Sequence, residues 1–244
     1  MQTKFEKIYI LHYIPHKDRD IALQKKFKYL GLNYEYVYAL PLNDIFESPN
    51  TENALNIINK NGFWKYGEKC IQHWSVAYGH YMCVYQAYHL GYKNILILEN
   101  DVVINKDKQL IEEYLNKVPE DADIIRYGYM EWDGYNCERF DKTTELFYKD
   151  NENNNFRYYG NQCYGLMNRK TMKIYLDSCN HCFNGNEDVT NIHRGNKYNL
   201  NIYYATNPLF LDHIAYNEYY LKNNTNQPYI LPYSNNLMNK YDFM

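Results

Sequence analysis

Residues 95–104 read ILILENDVVI: four apolar residues, then Glu99, Asn100 and Asp101, then three apolar residues again. Four apolar positions in succession are too few for a helix, and a strand without polar alternation is one covered on both faces. Such a strand belongs at the centre of a largely parallel sheet, which requires helices on either side of it. The fold class therefore rests on whether the flanking sequence supplies those helices.

It does so in both directions. Upstream, Ser75 is a candidate N-cap, and Ala77, Tyr81, Val84, Tyr85 and Tyr88 recur at helical spacing until Gly91 supplies a stop. Earlier still, KIYIL at 7–11 reads as a first strand and Pro15 breaks the turn after it. An amphipathic helix follows from Asp18 through Ile21, Leu23, Phe27 and Leu30 to Gly31, and residues 34–38 form a second strand. Residues 40–70, with Pro41, Pro49, Asn61-Gly62 and Gly67, read as a loop-rich excursion. Downstream, a helix over about 108–118 packs Leu110, Ile111, Tyr114 and Leu115 before Pro119, and DADIIRYG at 121–128 is a strand. Residues 131–156 read as a polar surface loop or flap, 164–167 as a strand, 169–176 as a helix and 201–205 as the last strand. The tail 222–244 is polar, and no internal repeat is present. These elements predict an α/β fold with a single Rossmann-like, mostly parallel sheet flanked by helices.

Composition narrows the class. The 244 residues carry 26 Lys+Arg against 29 Asp+Glu, a net charge of -3 that gives no broad basic footprint for nucleic acid. A hydrophobic fraction of 45% excludes a disordered chain. The start, MQTKFEKIYI, mixes charge into its apolar positions and does not resemble a cleavable signal, so the expectation is a cytoplasmic protein. No apolar run approaches the roughly 20 residues of a transmembrane helix. Six cysteines are scattered along the chain and read as reduced, buried thiols; Cys179 and Cys182 form a C-x-x-C around His181 with no second half to complete a zinc site. The 30 tyrosines are spread everywhere, which suits A/T-rich codon usage as well as stacking on sugars or bases, and they name no ligand.

The chemistry concentrates where the apolar strand ends. In open parallel sheets ligands bind outside the carboxyl ends of the strands. A Glu-x-Asp pair on extended backbone puts both carboxylates on one side, where hard oxygen ligands suit magnesium or manganese and, through the ion, a diphosphate. The alternative is an ordinary acidic turn, since turns favour Asn and Asp. His80 reads as a packed or hydrogen-bonded core histidine. Cysteine or Ser-His-Asp nucleophiles and Gly-rich phosphate loops are absent in convincing form, which argues against acyl transfer and P-loop chemistry.

Seven blocks, in order over residues 5–215, make the chain resemble glycosyltransferase family 25, which includes bacterial lipooligosaccharide galactosyltransferases and collagen hydroxylysine galactosyltransferases. They are IYILHYIPHKDRD, NYEYVYAL, SVAYGHYMCVYQAYHLGYKNILILENDVVI, DADIIRYG, GNQCYGLMNRKTMKIYL, GNEDVTNIH and LNIYYATNPLFLD. Two departures stand out: Asn100 occupies the middle of what is usually Glu-Asp-Asp, and Gly79 stands where Ser commonly precedes the histidine.

The resemblance implies a GT-A type domain over 1–221 and a metal-dependent, inverting transfer of a hexose from a nucleotide-diphosphate sugar, a UDP-sugar first, to a glycan or hydroxylysine hydroxyl. Asp101 is then the first ligand of a manganese or magnesium ion. Glu99 reaches the ion through water or holds the ribose, Asn100 lies with it at the nucleotide, and His213 is a third ligand or a plain loop histidine. Asp188, with Glu187, fits the base that deprotonates the acceptor, or else an acidic helix start. Arg19 and His12 fall on the loop after the first strand, where Arg19 would meet a phosphate or, alternatively, lie on the surface. Asn100 also motivates a catalytically inactive sugar- or protein-binding relative, and a nucleotidyltransferase is a third reading.

Overall fold

The computed structural model describes residues 1–12, 17–38, 68–100, 102–104, 107–128, 141–142, 144–149, 163–179, 198–206 and 209–211. In chain order the elements are β1 (Lys7–His12), α1 (Lys17–Leu30), β2 (Glu35–Tyr38), α2 (Glu68–Leu90), β3 (Ile95–Glu99), β4 (Val103–Ile104), α3 (Lys108–Asn116) and β5 (Ile124–Arg126). There follow β6 (Asp141–Lys142), β7 (Phe147–Lys149), β8 (Tyr164–Leu166), α4 (Arg169–Cys179), β9 (Ile202–Ala205) and β10 (Phe210–Leu211). Eight strands form one sheet in the order β2-β1-β3-β8-β5-β9-β7-β6. β1 is parallel to β2 and β3, and β5 to β9, whereas β8 runs antiparallel between β3 and β5, and β7 antiparallel to β9 and β6. Six of the eight strands therefore share a direction, opposed by β7 and β8, so the sheet is mixed but mostly parallel.

Both faces are covered, as the run at 95–98 requires. Leu96 and Leu98, with Ile8 and Ile10 of β1, pack against Leu23, Phe27 and Leu30 of α1 and against Ile111, Tyr114 and Leu115 of α3. Ile95 and Ile97, with Tyr9, pack on the other face against Cys83, Val84 and Ala87 of α2 and Met172, Tyr175 and Leu176 of α4. The period-two alternation of β3 thus feeds two separate cores, and all four of its apolar side chains are fully buried. Burying each contributes about 1.5–3 kcal/mol.

The expected glycine stops hold. Gly31 and Gly91 take φ +67° and +87°, which a side chain would resist. Leu32 N–H donates to the Phe27 carbonyl (3.1 Å) and Tyr92 N–H to the Ala87 carbonyl (3.1 Å), closing a Schellman turn after each helix. Asp107 caps α3, its carboxylate accepting from Leu110 N–H at 2.9 Å.

Several boundaries differ from expectation. α2 begins at Glu68 rather than after Ser75, because Gly67 is the last helix breaker and nothing in EKCIQHW interrupts the turn; residues 68–70 belong to the helix and not to the excursion. The expected flap at 131–156 contains a short hairpin, β6–β7, in which Thr144 Oγ1 accepts from Phe147 N–H (2.9 Å) and Phe147 is buried. β9 is not the last strand: β10 pairs antiparallel with β4 in a separate two-stranded sheet. Residues 39–67, the tail 222–244, and Cys137 and Cys182 lie outside the described residues. Cys83 and Cys163 are buried free thiols, and burial pushes the Cys83 thiol well above its ordinary range. Among the described residues no helix is long and apolar enough to cross a membrane.

Gly79 fixes how close α2 comes to the sheet. A Cβ there would sit 2.2 Å from Leu11 Cδ1 and 3.3 Å from its Cγ, and Leu11 is itself buried. Replacing a helical glycine by Ser gains about 0.5 kcal/mol of helix propensity, but overpacking a buried leucine costs about 1–3 kcal/mol. Gly79→Ser is therefore expected to lower stability by about 1–2 kcal/mol, read as a drop in the urea midpoint at unchanged slope; a midpoint at or above wild type contradicts the close approach.

Candidate functional site

The strands β1, β2, β3, β5 and β9 end at one edge of the sheet in His12, Tyr38, Glu99, Arg126 and Ala205, and the antiparallel β8 begins there with Tyr164, opposite Ile97 and Arg126. Among the described residues the buried polar side chains are His12, His80, Asn100, Arg126 and Thr171. Three of these lie at that carboxyl edge, and His80 is hydrogen-bonded to two residues on it. Thr171 sits at the opposite edge, where it and Asn168 meet Asp123 and the start of α4. The chain steps from β1 to β2 on one side and crosses to β3 on the other, so β1 and β3 flank the topological switch point, the place where open α/β sheets generally take ligands.

Glu99 continues the row of Ile95 and Ile97 and so faces α2. Its Oε1 lies 3.0 Å from His80 Nε2, and the Tyr164 hydroxyl lies 3.2 Å from His80 Nδ1. The imidazole is wholly buried, whereas the Glu99 side chain is 23% exposed. A carboxylate only accepts, so Nε2 carries a proton toward Glu99 while the Tyr164 hydroxyl meets the other ring nitrogen, and Tyr164, His80 and Glu99 form one hydrogen-bonded chain. The Arg126 guanidinium stands 5.9 Å from the Tyr164 ring centroid, and the His80 and Tyr164 rings stack at 5.6 Å. A carboxylate, an imidazole, a phenol and a guanidinium thus run across β3, β8 and β5 at the edge. Gly79 is what lets α2 bring His80 within reach.

Asn100 is 6% exposed, and its amide nitrogen lies 3.1 Å from Nδ1 of the equally buried His12. His12 is therefore the last residue of β1, not a loop residue, with its ring 4.9 Å from that of Tyr36 and 5.9 Å from that of Tyr38. The Tyr36 hydroxyl donates to Asp20 of α1. Extended backbone ends at Glu99: Val102 N–H donates to the Glu99 carbonyl at 3.3 Å, closing a turn through Asn100. The expected placement of Glu99 and Asp101 on one side falls on Asp101, which lies outside the described residues. Arg19 lies in the first turn of α1 rather than on the preceding loop, and its side chain is not among those described.

Asp101, Glu187, Asp188 and His213 lie outside the described residues. Among the described residues no three His, Cys, Asp or Glu side chains gather as a metal-binding group. Neither family models nor curated protein sequences give a match to the chain.

Sequence reading took His80 for a core histidine, which it is, but missed its partners. Tyr164 is one tyrosine among 30, with nothing in its neighbourhood to mark it. Arg126 had a signal, a charged residue closing the apolar strand IIR. If the chain acts as a unit, Tyr164→Phe removes the hydroxyl 3.2 Å from the buried His80 Nδ1 and costs about 1–2 kcal/mol, and His80→Leu about 2–3 kcal/mol. The double variant is expected to fall short of the sum by about 1 kcal/mol in urea denaturation; strict additivity shows the contacts to be independent.

Proposed function

We propose that this chain is a metal-dependent inverting glycosyltransferase of GT-A type, moving a hexose from a UDP-sugar or related nucleotide-diphosphate sugar to a glycan or hydroxylysine hydroxyl. The observation that carries the reading is the gathering of buried polar side chains at the carboxyl edge of β1 and β3, the switch point where such sheets take nucleotides. The likeness of seven ordered blocks to glycosyltransferase family 25 supplies the reaction class.

The donor set suits a hard cation. Glu99 offers a partly exposed carboxylate held in place by His80, and Asp101 with His213 would complete the donor set. A bound magnesium or manganese ion would offset the negative charge that grows on the departing diphosphate. The chain's own residues do the rest: Arg19 and His12 meet the nucleotide, and Asp188, aided by Glu187, takes the proton of the attacking hydroxyl. The amide of Asn100 is committed to His12, so its presence between Glu99 and Asp101 gives no ground for a silent site.

Titration calorimetry with UDP and manganese, followed by a panel of nucleotide sugars assayed for metal-dependent hydrolysis, tests the reading. Asp101→Asn is expected to abolish metal-dependent UDP binding, and Asp188→Asn to leave binding nearly intact while removing transfer. UDP binding without turnover of any sugar donor would favour the inactive relative, and pyrophosphate release from a nucleoside triphosphate the nucleotidyltransferase. Full turnover by both variants overturns the assignment.

A further inference from the structure

Tyr34, Tyr36 and Tyr38 follow at period two along β2 and the residue before it, so their rings share one face of the sheet, with centroids 5.2 and 6.1 Å apart. Tyr34 and Tyr36 pack against the core that also holds Leu23, Phe27 and Leu30 of α1, and the Tyr36 hydroxyl donates to Asp20 in the first turn of that helix. Tyr38 lies one step further along the strand and is 53% exposed. Its ring is still braced. His12 meets it edge-on at 5.9 Å and Tyr36 at a tilt of 41°, while His12 and Tyr36 are themselves 4.9 Å apart.

Of the exposed large apolar side chains among the described residues, Ile21, Tyr29, Tyr38, Tyr85 and Leu90, only Tyr38 ends a strand at the carboxyl edge. It pairs with His12, which Asn100 reaches from the turn after β3, so the row crosses the ends of β2, β1 and β3. On the other side of β3 the edge residues Tyr164 and Arg126 are buried and present no open ring. Neighbouring strands lie about 4.8 Å apart, which separates the ends of β2 and β3 by about 10 Å, a distance that a ribose with its phosphates spans. A nucleotide lying along this row, with its diphosphate at the end of β3, brings its base to the end of β2. We propose that Tyr38 is the stacking platform for the nucleobase of the donor, uracil for a UDP-sugar, with its ring held ready by His12 and Tyr36. This role rests on the nucleotide-sugar function proposed above and gives the site a means of distinguishing a nucleotide from a bare diphosphate.

Titration calorimetry with manganese present compares UDP with pyrophosphate. Tyr38→Leu is expected to bind UDP about tenfold more weakly than wild type, equivalent to about 1.4 kcal/mol, with pyrophosphate affinity unchanged. Tyr38→Phe keeps UDP affinity within about twofold, because the ring face remains. Unchanged UDP affinity in Tyr38→Leu overturns the stacking role and leaves the proposed function standing. An equal loss for pyrophosphate places the effect at the phosphates, an equal loss in Tyr38→Phe assigns it to the hydroxyl, and either result overturns stacking. Irradiation of the wild-type protein with an iodouracil analogue of UDP, followed by peptide mapping, is expected to attach the base to Tyr38. This decides even if Tyr38→Leu does not fold, and attachment only elsewhere overturns the role. Wild-type protein that binds no UDP overturns the nucleotide reading and this role together.

Discussion

Everything at the carboxyl edge depends on the pairing of the Glu99 carboxylate with the buried imidazole of His80. β3 is dry on both faces for four residues, and a charge anywhere in that stretch would cost several kcal/mol. Glu99 is the first position at which the strand leaves its cover. It still faces α2, so it arrives against His80, and a wholly buried imidazole has to be satisfied at both nitrogens. Glu99 meets one and Tyr164 the other. The Glu99 carboxylate is thereby tied into three elements of the fold, β3, α2 and β8.

The two edges of the sheet use polar residues differently. At the amino edge Asp123 accepts from Asn201 N–H (3.0 Å), and Asn168 accepts from Thr171 N–H (2.9 Å). These bonds close backbone groups at the starts of β9 and α4, which any such fold must do. At the carboxyl edge the bonds join side chains from distant parts of the chain: His80 to Glu99, Tyr164 to His80, Asn100 to His12. The amino edge has side-chain bonds of its own, from Asn168 and Thr171 to Asp123 and from Tyr203 to Asp121, so what sets the carboxyl edge apart is the burial of two imidazoles there.

Close approach of elements creates the geometry. Gly79 admits Leu11 under α2, and on the opposite side of the next strand pair a Cβ at Gly165 would meet the Phe5 ring at 2.6 Å. β8 is thereby pinned between β3 and β5, and Tyr164 at its start cannot drift from His80. Gly79 and Asn100 both have local physical reasons. One is the space above Leu11, and the other is a hydrogen bond to His12.

Local pattern was sufficient for the strand at 95–98, for α1 and α3, and for the glycines that end α1 and α2, because periodicity and turn chemistry are properties of neighbours in sequence. It located the carboxylate at Glu99 and the burial of His80 for the same reason. It did not reveal the start of α2, where Ser75 offered a cap eight residues after the breaker Gly67, or two-residue strands such as β4, β6 and β10, which are too short to show a period and exist only through their partners. The antiparallel insertion of β8, the union of residues 80, 99 and 164, and the contact of residue 100 with residue 12 were decided by tertiary structure alone. Each joins side chains at least 19 residues apart, and a hydrogen bond between groups so separated leaves no trace in the spacing of either.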